Sequence, residues 1–241
     1  MFSHRFVPIV VSLSLGVALV ITTSPAAAQC ELHETQKLLA SNGAASDQFG
    51  GNVAVSGNTL VVGASNRDCA AGSDCGSAYV YRLIGDKWVQ EAELAPLDLA
   101  PGDRFGGYNF GGGVAVDGDL IVVGAAYSDP NGLSSAGAAY VFAYEGTAWV
   151  QEAKLTLPDA AAFDFFGSSV AILADRVFVG APNKPSEIGA VYIFRRQGTA
   201  WVQEARLLPP GNCMPGFGIS FGRVVSVYGD RALIGAEFPC D

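Results

Sequence analysis

The stretch FGSSVAILADRVFVGAP, residues 166–182, consists of two apolar segments joined at Ala174-Asp175, with Phe-Gly at its start and Gly-Ala near its end. The same Phe-Gly pair is followed by Gly-Ala at a constant spacing of 14 residues in four places. The copies are Phe49-Gly50 with Gly63, Phe110-Gly111 with Gly124, Phe166-Gly167 with Gly180, and Phe221-Gly222 with Gly235. This spacing assigns Phe105-Gly106, which has the same letters, to an insertion. The chain is therefore built from repeats, with periods of 61, 56 and 55 residues.

A second string, WVQEA, recurs between these copies and begins at Trp88, Trp149 and Trp201. The first repeat contains four short segments that alternate or run apolar: FGGNVAV, TLVVG, SAYVYR and WVQEAEL. Glycine and aspartate stand between them, and both residue types tolerate the positive φ of tight turns. The pattern predicts four β-strands in each repeat.

Short antiparallel strands that repeat in groups of four are typical of β-propeller blades. We therefore predict an all-β fold, a β-propeller built from four-stranded antiparallel blades. One blade cannot bury both of its faces, so stacking of neighbours explains why the inner strands are apolar on both sides. The tryptophans recur at one blade position, which indicates packing residues rather than a sugar-stacking row.

Phe-Gly followed by an apolar strand and then Gly-Ala or Gly-Ala-Pro resembles the FG-GAP repeat of the integrin α-subunit head. The resemblance extends from Phe49 to Glu237, and residues 166–182 have the complete form. It implies an extracellular propeller with an adhesion-type role. Many FG-GAP repeats carry a calcium loop like DxDxDG, whereas each repeat here has a turn of two or three residues. Asp117-Gly118-Asp119 comes nearest, and we predict a hairpin turn there rather than a metal site.

The predicted strands do not add up to whole blades. Residues 29–41 form an N-terminal segment, and within it residues 34–39 resemble the outer strand of a blade. The repeats occupy residues 42–97, 98–157, 158–209 and, as a partial copy, 210–241. This gives about three and a half blades. We expect either a fragment of a longer propeller or a propeller that closes by self-association, because open strand edges invite pairing.

Residues 1–28 are predicted to be a signal peptide. His4 and Arg5 precede an apolar stretch over residues 6–21, and small residues up to Ala28 provide a cleavage site. The apolar stretch is shorter than the roughly 20 residues that a membrane span needs. We therefore expect no stable span after cleavage, and a secreted, periplasmic or cell-surface protein.

The chain has five cysteines, and export permits disulfides. Cys69 and Cys75 lie in one short loop and are candidates for a pair. Cys213 and Cys240 are the next candidates, since both fall on the side of the long loops. Cys30 is left over.

Few residues of the mature chain suit catalysis. Its one histidine, His33, is expected to be solvated, and no GxSxG elbow or dinucleotide motif occurs. The remaining carboxylate pairs are Asp159 with Asp164 and Glu91 with Glu93. Strand alternation places Glu91 and Glu93 on one face, and the basic residues that replace Glu93 in the other copies indicate a solvated face. We predict no catalytic, cofactor or metal residues.

The net charge of −9 and the pI of about 4.6 argue against nucleic acid as a partner, and the 50% hydrophobic content excludes a disordered chain. We predict a non-enzymatic binding or adhesion module with a protein or glycan ligand. Its candidate contact segments are the variable loops and linkers, residues 65–76, 98–108, 126–137, 158–165 and 183–189. The alternatives are a polysaccharide hydrolase or lyase and a structural surface protein, between which the fold alone does not choose.

Overall fold

The computed structural model describes residues 34–107, 112–184, 188–209 and 220–236, and the chain from Gln36 onward packs as one compact unit. The predicted all-β propeller fold is confirmed. The strands are β1 (Phe49–Ser56), β2 (Thr59–Ala64), β3 (Ser77–Ile84), β4 (Lys87–Leu94), β5 (Val114–Asp117), β6 (Leu120–Ala125), β7 (Ala138–Tyr144), β8 (Trp149–Leu155), β9 (Val170–Leu173), β10 (Arg176–Ala181), β11 (Ala190–Gln197), β12 (Ala200–Leu207), β13 (Val224–Tyr228) and β14 (Arg231–Gly235). A short 3-10 turn covers Pro130–Gly132.

Strands β1–β4, β5–β8 and β9–β12 form three four-stranded antiparallel meanders, which we call blades 1, 2 and 3. Strands β13 and β14 form a two-stranded sheet, which we call blade 4. The innermost strands β1, β5, β9 and β13 contact one another in chain order. In the part of the chain that the structure describes, this row of sheets is not closed into a ring.

The hydrophobic core lies between the blades. One cluster joins Val61 and Val80 of blade 1 to Val114 and Ile121 of blade 2, and a similar cluster joins blades 2 and 3. Blades 2 and 3 thus bury both faces against neighbouring sheets, whereas the second face of blade 1 packs against Leu38 and Ala40. This arrangement explains the continuous apolar character of β2 and β6, which are buried almost throughout.

The Phe-Gly and Gly-Ala signatures meet at the seams between blades. A Cβ placed on Gly63, Gly124 or Gly180 would lie 2.2, 1.8 or 2.0 Å from a carbonyl oxygen of the next blade, belonging to Gly106, Gly167 or Gly222. Backbone therefore touches backbone at each seam, and any side chain would force the sheets apart. The signature glycines of β2, β6 and β10 are required for close approach.

The second Phe-Gly signature is Phe105-Gly106, so its predicted assignment to an insertion is wrong. Phe105 forms an isolated parallel bridge with Gly76, as Phe166 does with Gly137 in the next blade. The extra residues follow Phe105-Gly106 instead. Gly107 and Gly113 approach each other closely, since a Cβ on Gly113 would lie 2.2 Å from the Cα of Gly107. The predicted pair Phe110-Gly111 lies outside the described residues.

Residues 34–39, predicted to be an outer strand, form no strand. The side chain of Gln36 instead bonds both the backbone N–H and the carbonyl of Trp88, at 2.8 and 2.7 Å, and Tyr81 donates its hydroxyl to the Leu39 carbonyl. The segment therefore lies against the face of blade 1. Although its sequence is strand-like, the segment is held by hydrogen bonds that involve side chains and not by strand pairing.

Each outer strand contains a β-bulge at the glutamate of WVQEA, since the pairing skips Glu91, Glu152 and Glu204. The bulge breaks the alternation that was expected to place Glu91 and Glu93 on one face. Glu91 accepts hydrogen bonds from Arg82 and from Trp149 of blade 2, whereas Glu93 accepts from Ser77 and Asn42. The two carboxylates thus serve different neighbours and form no pair.

Within the part of the chain that the structure describes, no helix has the length and apolar character of a membrane span. The predicted signal peptide at residues 1–28 lies outside the described part of the chain, as do Cys30 and His33.

Candidate binding face

The two ends of the blades differ in character. At one end the tight turns touch each other: Gly118 donates its N–H to Ser56 Oγ, and Ala174 donates to Asp117 Oδ2 at 2.8 Å. At the other end each long loop bonds the linker that follows its blade. We call the surface formed by residues 42–48 and 183–184, loops 65–76 and 126–137, and linkers 95–104 and 156–165 the long-loop face.

The segments before Phe49, Phe105 and Phe166, which we call the first, second and third linkers, each carry a buried aspartate two residues before that phenylalanine. Asp47, Asp103 and Asp164 accept the backbone N–H of Ala44, Ala100 and Ala161 at 2.7, 2.9 and 2.8 Å. All three side chains are buried. The linkers therefore share one internal turn that shapes the long-loop face.

The residue that faces the aspartate from the long loop differs from blade to blade. Lys184, whose side chain is only 5% exposed, places Nζ 2.9 Å from Asp164 Oδ2. Burial alone would lower the pKa of Lys184, but the hydrogen bond and charge of Asp164 outweigh it and raise the pKa above its ordinary value. In blade 1 Arg67 stands at this place, with Nε 3.8 Å from Asp47.

Blade 2 has Ser128 where blades 1 and 3 have a basic residue. Ser128 is 2% exposed, and its Oγ has no hydrogen-bond partner within the described ranges. Burial raises the pKa of Asp103, and the charges of Asp129 and Asp98 add to that rise, against the opposing Ala100 N–H and Lys154. Linker 95–104 thus holds a carboxylate, that of Asp103, which has no basic side chain opposite it in loop 126–137.

The linkers also share two left-handed residues, one directly before the signature phenylalanine and one two residues earlier. The earlier position is Ser46 in the first linker, with φ 75°, and Gly102 in the second, with φ 87°. In the third it is Phe163, with φ 65°. A bulky aromatic residue rarely adopts this conformation, because its Cβ crowds the backbone.

An aromatic group surrounds this position. Phe163 is 58% exposed and its ring centre lies 6.3 Å from that of Phe165. The Phe165 ring packs edge-on against Tyr127 of loop 126–137 at 5.2 Å, and the Arg104 guanidinium lies 5.7 Å from the centre of the Tyr127 ring. Phe165 is left-handed as well, at φ 52°. Linkers and loops from two blades thus join in one aromatic patch, which we call the Phe163 patch.

Loop 65–76 is closed by a disulfide between Cys69 and Cys75, the first predicted pair. Cys69 and Gly72 also exchange backbone hydrogen bonds at 2.9 and 3.1 Å. Arg104 of the following linker bonds Asn66 at 2.9 Å and pairs with Asp74 at 3.4 Å. The second predicted pair, Cys213 with Cys240, lies outside the described residues.

The repeated tryptophans connect neighbouring blades. Trp149 donates its indole N–H to Glu91, and Trp201 donates its own to Glu152, at 3.0 and 2.9 Å. Burial alone would raise the pKa of Glu91, but the hydrogen bonds from Arg82 and Trp149 hold it below the ordinary value. These glutamates were expected on a solvated face; Glu152 instead has a side chain only 8% exposed, because the bulge turns it toward the next blade.

The candidate acid pair Asp159 and Asp164 is separated by Lys184, whose Nζ contacts both residues. Asp164 is buried, while half of the Asp159 side chain is exposed and lies 3.6 Å from Arg206. The two carboxylates therefore neutralise basic side chains and shape the linker.

The sequence contained a signal for this linker that the spacing argument passed over. DQFG, DRFG and DFFG begin at Asp47, Asp103 and Asp164. Reading Asp-x-Phe-Gly as one motif selects Phe105 over Phe110, which has Tyr108 at the aspartate position. It also marks the buried carboxylates.

Comparison with known proteins agrees with this architecture. The family model described as FG-GAP repeat matches residues 32–81, 88–142 and 149–194, which together exceed half of the chain. No curated protein matches the sequence.

Solved structures also resemble the fold, among them the following two. A protein from Lactobacillus plantarum is 15% identical with a TM-score of 0.43, covering 66% of this chain and 41% of its own. A europium-containing methanol dehydrogenase is 12% identical with a TM-score of 0.42, covering 69% of this chain and 26% of its own. The chain thus spans less than half the length of either.

Proposed function

Because the chain belongs to the FG-GAP repeat family, we propose that it is an extracellular or periplasmic, non-enzymatic binding module of the adhesion type. Its long-loop face contacts a protein or glycan ligand, and the Phe163 patch is the centre of that contact. The observation that carries the proposal is the exposed, left-handed Phe163.

Phe163 costs the fold more than the glycine at the same place in the second linker. Gly102 occupies the same linker position without strain, whereas a left-handed non-glycine residue costs about 1–2 kcal/mol. The ring is more than half exposed, so it buries little apolar surface in return. Strain that packing does not repay is typical of functional positions. Aromatic side chains are also the commonest anchors at the centre of protein interfaces.

The surroundings of Phe163 favour binding because they are already ordered. Phe163 and Phe165 donate their backbone N–H groups to Ser134 and Ser135 of loop 126–137, at 2.8 and 3.0 Å. The disulfide in loop 65–76 fixes the adjacent part of the face. A preformed surface pays less conformational entropy when a ligand docks.

The acidic residues described on this face favour binding over catalysis. Asp164 is paired with Lys184, and Asp74 is paired with Arg104. A general acid or base needs a carboxyl group that can reach a substrate proton. These two carboxylates hold loops in place, which supports recognition rather than catalysis as the role of the face. The disulfide and the predicted signal peptide support an oxidising, extracytoplasmic location.

The proposal is tested by comparing wild type and Phe163→Gly on an array of extracellular-matrix proteins and glycans. Glycine is the residue that blade 2 uses at this position, so the linker keeps its conformation. We expect wild type to bind at least one array component and the variant to lose that binding. Val89→Ser, which removes a half-exposed apolar residue from outer strand β4, serves as the control and retains binding. Equal binding by wild type and Phe163→Gly to every component of the array would contradict the proposal, and so would turnover of an arrayed polysaccharide.

A further inference from the structure

We propose that a cleft between blades 2 and 3, away from the long-loop face, binds the ring of a neutral sugar. The cleft has a volume of about 330 Å³ and opens on the outer strands. This size is near the lower limit of small-ligand sites. Its polar and apolar lining includes Tyr144, Glu145, Val150, Gln151, Arg196 and Thr199. We call it the rim cleft.

The rim cleft exists because blade 2 lacks an arginine that its neighbours have. Arg82 of β3, Ala143 of β7 and Arg195 of β11 occupy the same ladder position, opposite Thr59, Leu120 and Arg176. Between blades 1 and 2, Arg82 fills the space by bonding Glu91 at 2.8 Å and lying 5.0 Å from the centre of the Tyr144 ring. Ala143 leaves the equivalent space between blades 2 and 3 open, and it lines the cleft.

The charges around the cleft disfavour ionic ligands. Glu145 and Glu152 would repel an anion, and the Arg196 guanidinium would repel a cation. A wholly apolar ligand would desolvate these groups without replacing their hydrogen bonds. A neutral ligand that both donates and accepts hydrogen bonds meets neither obstacle.

A sugar ring fits the remaining requirements. The Gln151 amide both donates and accepts hydrogen bonds, as does the Thr199 hydroxyl, so each can pair with ring hydroxyls. Val150 is 41% exposed and offers an apolar surface for the C–H face of the ring. Hydroxyl groups on an apolar ring match this mixture of contacts.

The inner wall of the cleft is held in place before any ligand arrives. Glu152 accepts hydrogen bonds from Arg196 Nε at 2.7 Å and from Trp201 at 2.9 Å. The Tyr144 ring rests on Trp149 with ring centres 5.2 Å apart. Arg196 and Tyr144 therefore lose little freedom on binding.

Saturation-transfer NMR on the full chain tests the proposal, with glucose, galactose, mannose and N-acetylglucosamine as separate probes. We expect signal for at least one sugar. Ala143→Arg refills the cleft with the side chain that blades 1 and 3 carry there, and we expect it to abolish that signal. Gln151→Ala alters one exposed amide without filling the cleft, and we expect a weaker signal.

Val202→Arg is the matched control, because it adds the same charge on outer strand β12 at the position equivalent to Val150. It leaves the sugar signal unchanged if the proposal holds. Absence of signal for all four sugars would overturn the proposal, and so would a signal that survives Ala143→Arg. Phe163→Gly leaves the sugar signal unchanged, so this site and the long-loop face succeed or fail separately.

Discussion

The seams between blades and the long-loop face follow the same backbone course in every repeat, yet they treat side chains differently. At the seams the residues are the same each time: Gly63, Gly124 and Gly180 each face a carbonyl oxygen of the next blade. On the long-loop face one position is Ser46, Gly102 or Phe163, and another is Arg67, Ser128 or Lys184.

The two regions differ in how far the fold allows their side chains to vary. Backbone-to-backbone contact at a seam admits only glycine, because a single Cβ collides. The linkers are fixed by an aspartate that bonds a backbone N–H, and so their other side chains can vary without moving the backbone. The long-loop face, where side chains vary on a constant backbone, is therefore the one suited to recognition.

The largest effect is expected from Gly124→Ala at the seam between blades 2 and 3. The new Cβ would lie 1.8 Å from the Gly167 carbonyl oxygen, and this backbone atom cannot move without separating the blades. We expect a loss of about 4 kcal/mol in the free energy of unfolding, measured by urea denaturation. Gly118→Ala is the control, since its Cβ meets nothing within 4 Å and only its φ of 55° costs about 1 kcal/mol. Equal losses would refute the close-approach explanation.

The next effect concerns the buried pair on the long-loop face. Lys184→Met leaves Asp164 buried without its cation, and we expect urea denaturation to show a loss of about 3 kcal/mol. Lys154→Met provides the comparison, because the Lys154–Asp98 pair is partly exposed and contributes less than about 1 kcal/mol. A small loss for Lys184→Met would mean that the linker is held by its backbone bonds alone.

A smaller, pH-dependent effect is expected at Asp103, which has Ser128 opposite instead of a basic residue. Burial raises its pKa in the folded state above the ordinary 3.8, so the folded protein binds its proton more tightly than the unfolded chain. Asp103 therefore lowers stability progressively as the pH rises from 3.8 through the raised pKa.

Asp103→Asn removes this dependence and keeps an acceptor for the Ala100 N–H. We expect the variant to match wild type in acid and to exceed it by up to about 1 kcal/mol near neutral pH. Urea denaturation at both pH values measures the difference. Asp164→Asn is the counterpart and destabilises at neutral pH, because it deprives Lys184 of its partner. A neutral-pH loss in both variants would show that the two linkers do not differ.

Much of this fold was predictable because the repeats constrain it. The strands of blade 1 begin at Phe49, Thr59 and Ser77 as the alternation predicts, and the seam glycines follow from their constant spacing. The choice of Phe110 over Phe105 failed because spacing alone was used, whereas the aspartate two residues before Phe105 distinguishes it from Phe110. The β-bulge at Glu91 was also missed, since a strand's period gives no sign of an unpaired residue.

The candidate sites were less predictable. The sequence around Phe163 gives no sign of its left-handed conformation, which the linker turn imposes. Only alignment with Gly102 indicates it. The rim cleft depends on a missing arginine at Ala143, which becomes meaningful only when the ladders of the blades are superposed. Both features arise from contacts between repeats, and a single repeat does not contain that information.

The proposed binding role requires that Phe163 contacts a ligand at a cost to the fold. The free energy of unfolding of Phe163→Gly, measured by urea denaturation against wild type, tests it most directly. Relief of the left-handed strain offsets the chain entropy of glycine, so we expect the variant to be as stable as wild type or up to about 1 kcal/mol more stable. A loss of more than about 1 kcal/mol would make Phe163 a packing residue. That result would remove the observation on which the binding role of the long-loop face rests.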